Sequence, residues 1–128
     1  MKPEQAHQLA VLTKAQEGRQ KKRLAALLNQ REELSRERKA LVENRHRVLA
    51  HHVGAEMIQA DPWLAWCNSR EAELDLQVAR LDEELKLARA EAAQATARAD
   101  MMCEIEQEAR LLRLKELEKR AEAAGQVV

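Results

Sequence analysis

Leu74, Val78, Leu81, Leu85, Ala88, Ala92, Ala95, Ala99 and Met102 recur at steps of four and three residues, alternating without a break. Such a row runs along one side of an α-helix and is the pattern by which helices pack side by side in coiled coils. No proline or glycine occurs between Pro62 and Gly125, so nothing local ends the helix that carries the row. The row drifts toward its end, first to Ile105, Ala109 and Leu112 and then to Leu111, Leu114 and Leu117.

A matching but weaker pattern lies in the first half. Leu27, Leu34, Leu41 and Val48 recur every seven residues, with companions Leu24, Arg31, Arg38, Arg45 and His52. One row is apolar and the other is largely arginine. Arginine can lay its methylenes along a seam and keep its charge in water, so this seam asks for an acidic partner. Leu28, Val42 and Leu49 form a second apolar row beside it, making the face wider than a strict coiled-coil seam.

The stretch HHVGAEMIQADPWLAW, residues 51–66, separates the two patterns. Gly54 is a plausible end for the first helix. Asp61 can cap the second, with Pro62 as its first helical residue. The reading is an all-α chain forming one helical-hairpin domain over 1–128. Helix one covers about 4–52, the turn about 53–61 and helix two about 62–124. At 1.5 Å per residue these helices would be roughly 70 and 90 Å long. A short connection makes them antiparallel neighbours. A turn near Met57 pairs positions whose numbers sum to about 114, setting Leu41 near Leu74, Leu34 near Leu81 and Arg31 near Asp82, Glu83 and Glu84. It also sets Ala88, Ala92, Ala95 and Ala99 against Ala26, Lys22, Gly18 and Ala15. Helix two then outruns helix one, leaving the leucines beyond about Leu112 without an intramolecular partner.

Charge supports that pairing. Net charge is zero, but residues 1–61 hold 12 basic and 8 acidic residues and residues 62–128 hold 10 and 14. Halves of +4 and −4 suit each other. A parallel, self-associating scaffold, the alternative architecture, would align like with like. Charged residues make up 34% of the chain and aromatics 2%, with no Tyr or Phe, a composition of long helices rather than a mixed core. Neither half is basic enough for strong generic nucleic-acid binding. Arg19 to Arg23 reads RQKKR but has no interleaved aromatics, and is read as a solvated face.

Chemistry-bearing motifs are sparse. His51 and His52 are adjacent and point about 100° apart on a helix, so they do not chelate one ion together. His52 and Glu56 have suitable spacing but Gly54 between them and no third ligand. Cys67 with His46 or His51 has no orienting group or oxyanion motif. No phosphate loop, GxSxG or HExxH is present, so no catalytic, cofactor or metal site is expected. Cys67 and Cys103 form no CxxC pair and fit a reducing compartment. The opening MKPEQAHQ has no signal-like apolar region, and no apolar run is long enough to span a membrane. Trp63 and Trp66 are three apart at the start of helix two. They either pack under the turn against Val48, Leu49, Val53 and Ile58 or serve as interface anchors.

A basic first helix through RERKALVENRHR, a tryptophan soon after the turn in DPWLAW and the run LLRLKELEKRAEA resemble the flagellar export protein FliJ and its YscO-type injectisome counterparts. The similarity covers nearly the whole chain. The resemblance implies a cytoplasmic coiled-coil stalk at the inner-membrane export apparatus, monomeric alone and without enzymatic activity. Its terminal end would enter and stimulate a hexameric export ATPase, here through Leu111, Leu112, Leu114 and Leu117. Its hairpin tip, here Trp63, Trp66 and Leu49, would contact the membrane export gate, and it would escort export chaperones. The family's tyrosine or phenylalanine near the turn has no counterpart in this chain. The alternative function is that of a generic coiled-coil adaptor.

Overall fold

The computed structural model describes residues 1–51 and 55–126, with side chains described outside 55–60 and Gln126. These residues form two helices, α1 (Pro3–His51) and α2 (Ala55–Gln126), and no strand occurs among them. Helix α1 starts where its sequence allows it cheaply. Pro3 occupies the first turn, where a missing N–H costs nothing, and the Ala6 amide donates to the Lys2 carbonyl at 3.0 Å. Glu4 in the same turn suits the positive end of the helix dipole.

The start of α2 differs from the sequence expectation. The helix begins at Ala55 and runs through Pro62, so Asp61 lies inside it rather than capping it. A proline inside a helix removes one N–H and crowds the carbonyl four residues back. The preceding AEMIQA is composed mainly of good helix formers, which extend the helix past the proline. The expected stop at His52, Val53 and Gly54 lies outside the described residues, as do the side chains of Glu56, Met57 and Ile58.

The chain divides into two compact units, residues 23–88 and residues 1–22 with 89–128. In the unit of residues 23–88, Leu27, Leu81, Leu85 and Ala88 form one buried cluster, with Leu24 and Leu34 packed against it. Leu41, Cys67 and Leu74 form a second, joined by Leu34 and Trp63. Between the apolar layers, Arg31 Nε donates to Asp82 Oδ1 at 2.6 Å and Arg38 Nε to Asp75 Oδ1 at 2.7 Å. Arg38 also reaches Glu71, at 3.1 Å, and Arg45 binds both Glu71 and Asn68. Arg70 returns the pattern by donating to Glu37 at 2.6 Å. Partner numbers fall along α2 as they rise along α1, and Arg31–Asp82 and Arg38–Asp75 each sum to 113. The arginine row therefore has the acidic partners its sequence asks for. Glu83 instead pairs with Lys86 within α2.

In the unit of residues 1–22 and 89–128, Ala92, Ala95, Ala99 and Ala109 of α2 and Ala6 and Glu17 of α1 are buried. The sequence-based opposition of the α2 alanines to Ala15, Gly18 and Lys22 does not hold, because all three are exposed. A Cβ at Gly18 would meet nothing within 4 Å. Ala26, of the other unit, is exposed as well. The physical reason is phase. Stepping back from Leu27 by three and four gives Leu24, Gln20, Glu17, Thr13, Ala10 and Ala6, all buried or half-buried. A shift of one residue turns a side chain by about 100°, out of the contact line.

Leu74 and Leu85 are fully buried although only two helices supply the contacts. Leu74→Ala or Leu85→Ala is expected to cost about 2–4 kcal/mol in urea unfolding. Leu76→Ala, at a site 53% exposed, is expected to cost less than about 0.5 kcal/mol.

Candidate partner-binding surfaces

The seam of α2 continues through Ala99, Met102, Glu106 and Ala109, which are buried or half-buried. The next three steps of four, three and four fall on Arg113, Glu116 and Arg120. The face that pairs with α1 thus becomes charged, and every side chain from Arg110 to Gly125 is exposed. Leu111, Leu112, Leu114 and Leu117 sit off that line and are 58%, 63%, 56% and 45% exposed. They are not a continuation of the intramolecular seam. They present apolar area to solvent on other sides of the helix, as partner-binding helices do. Local ion pairs, Arg110–Glu106 at 2.6 Å and Arg113–Glu116 at 3.2 Å, decorate the same stretch. An open cleft beside it is lined by Met1 to Gln5 of α1 and by Ala109, Leu112, Arg113 and Glu116 of α2. Leu9, Val11 and Leu12 of α1 are exposed in the same unit.

The two tryptophans take different roles. Trp63 is half-buried and packs on the Leu41–Cys67–Leu74 cluster, whereas Trp66 is exposed. They are three positions apart, and Trp63 falls on the four-three line through Cys67 and Leu74 while Trp66 falls one position off it. Of their expected neighbours, Leu49 is exposed and Val48 half-buried. Val53 and Ile58 fall outside the described side chains. Leu28 is also exposed and Val42 half-buried, so the flanking row of α1 is partly uncovered.

The remaining candidates separate. His46 and His51 are exposed, Cys67 is fully buried, and Cys103 is exposed. A buried thiol and exposed imidazoles do not form a reacting pair. Among the described residues no group of three or more His, Cys, Asp or Glu could hold a metal ion, and no helix is long and apolar enough to cross a membrane. His52 lies outside these residues. In the basic run, Arg19, Lys21, Lys22 and Arg23 are exposed, and Lys21 lies 3.7 Å from Glu17.

One polar constellation was missed in reading the sequence. Glu17 is 4% exposed in the seam of α1. Lys14 Nζ lies 2.9 Å from its Oε1, and half-buried Thr96 of α2 favours its charged form. Farther along, His7 Nδ1 is 2.7 Å from Glu106 Oε1. Extending the heptad of Leu24 and Leu27 toward the N-terminus would have placed Glu17 inside. No known family model, characterised protein or solved structure matches this chain.

Glu17 has a pH signature. The hydrogen bond with Lys14 holds its carboxyl below the usual carboxylate range, aided by Thr96 and Lys21, while burial opposes. A folded-state pKa below the unfolded value of 4.5 gives stability that is present above that value and lost as pH falls through the folded one. Glu17→Gln is expected to lower Tm at pH 7. The gap from the unsubstituted chain should close in acid, once Glu17 is protonated folded and unfolded alike. Thermal melts followed by circular dichroism between pH 2 and pH 7 check this.

Proposed function

We propose that the chain is a non-enzymatic, antiparallel coiled-coil stalk of a protein export apparatus of the flagellar or type III secretion kind. Its terminal end binds and stimulates a hexameric export ATPase, and Trp66 with Leu49 contacts the export gate. It also escorts export chaperones, and it works in the cytoplasm beside the inner membrane.

The observation that carries this reading is the set of exposed leucines, Leu111, Leu112, Leu114 and Leu117, on a stretch whose α1-facing line has turned to Arg113, Glu116 and Arg120. A stretch whose α1-facing line is charged and that still displays four exposed leucines offers apolar surface to an external socket. The falling partner numbers of the Arg31–Asp82 and Arg38–Asp75 pairs favour antiparallel pairing within one chain over the parallel scaffold. The resemblance to FliJ and YscO-type proteins supplies the identity of the ring.

Leu111→Asp combined with Leu114→Asp tests it with the export ATPase of the same genome. The unsubstituted chain is expected to raise the ATP hydrolysis rate several-fold, and the double variant to lose that stimulation with binding weakened at least about 30-fold. Helicity should be unchanged, because both side chains are exposed. Equal stimulation by both proteins would sink the proposal.

A further inference from the structure

In the unit of residues 1–22 and 89–128, a second row runs beside the buried line of each helix. On α1 it holds Met1, Gln5, Gln8 and Leu12, and on α2 Gln94, Arg98, Met101, Ile105, Glu108 and Leu112. The bond from His7 to Glu106 pairs numbers that sum to 113, which sets Met1 level with Leu112, Gln8 with Ile105 and Leu12 with Met101. Met1, Gln5 and Leu112 line one open cleft on this side, and Met1, Gln8 and Leu12 a second. Arg98 lines a third of about 370 Å³ with Arg19 and Gln94. Ile105 is half-buried, and the other residues of both rows are exposed. The His7–Glu106 bond lies on the other side of the pair, since His7 is turned about 200° from Gln5.

We propose that this open side is the interface for a second copy of the chain, packed face to face and antiparallel through two Arg98–Glu108 ion pairs. The spacing carries the inference. Arg98 and Glu108 each stand five residues from Cys103, and Met101 and Ile105 each stand two from it. A two-fold axis crossing α2 at that level runs two copies of the row past each other in opposite directions. Arg98 of each copy then meets Glu108 of the other, and Met101 meets Ile105. The row is its own complement, as an interface between identical surfaces requires.

Both charges lack an opposite charge at their own level. Neither has one three or four residues away on α2, and the residues level with them on α1 are Ala15 and Gln5. A second copy supplies both. At 1.5 Å per residue the paired rows run about 27 Å and two helices are about 20 Å wide, which gives on the order of 550 Å² per copy. That is the size of a weak, reversible interface. The resemblance to FliJ implies a chain monomeric alone, so self-association goes beyond it. It is also independent of what Leu111, Leu114 and Leu117 bind.

Sedimentation of the full chain tests this from micromolar to millimolar concentration, under reducing conditions that keep exposed Cys103 from cross-linking. The mass should rise with concentration from 14.6 kDa toward twice that value. Arg98→Glu and Glu108→Arg should each weaken association at least about ten-fold, because each sets like charges together at both pairs. Arg98→Glu combined with Glu108→Arg exchanges the charges and should restore it. Helicity should be unchanged in all three, since both sites are exposed. Leu111→Asp with Leu114→Asp should associate like the unsubstituted chain, which separates this surface from the leucines of the export reading. A mass of 14.6 kDa at every concentration overturns the proposal. So do single variants that associate as tightly as the unsubstituted chain, a charge exchange that restores nothing, or loss of association in the leucine variant.

Discussion

Two helices can bury only the line along which they touch. Everything in this protein follows from that constraint. Every fully buried leucine lies on the four-three line, and residues one position away are at most half-buried, because one residue is about 100° of rotation. Leu74 and Cys67 reach zero exposure on that line while Trp66, adjacent to Cys67, is open to solvent. With so narrow a contact, each buried leucine carries an unusually large share of the favourable transfer free energy.

The line is filled differently in the two units. In residues 23–88, leucines alternate with arginines that reach carboxylates on the facing helix. These ion pairs are partly exposed and individually weak. Their value is directional, since each is satisfied in one pairing of the helices. In residues 1–22 with 89–128, alanine replaces leucine and a buried glutamate replaces the arginine ladder. An alanine buries less apolar area than a leucine, and the buried glutamate is held by Lys14 and Lys21 of its own helix.

What the seam leaves out becomes available for recognition. Past Ala109 the α1-facing line turns to arginine and glutamate, and the leucines move to other sides of the helix. The apolar surface has therefore been taken from the intramolecular contact and given to solvent. Trp66 does the same near the start of α2, while Trp63 one turn earlier stays with the core. The residue types alone do not distinguish these fates; their phase relative to Cys67 and Leu74 does.

The sequence by itself determined the two helices, the seam of α2 from Leu74 to Met102, and the nearness of Arg31 to the acidic run Asp82, Glu83 and Glu84, of which the structure selects Asp82. Heptad periodicity and charge complementarity are local or one-dimensional signals, and they survive without coordinates. The exposure of Leu111 to Leu117 followed from the same arithmetic, though not the change of face at Arg113. Only the tertiary structure decided that Glu17 is buried in the seam while Ala15 and Gly18 are exposed, and that Trp63 packs while Trp66 is exposed. It also decided that α2 continues through Pro62. These depend on helix phase to within one residue and on whether neighbouring turns can carry a lost backbone bond. Small, polar and breaker residues signal preferences at each position, but the choice among them is made by the helix packed opposite.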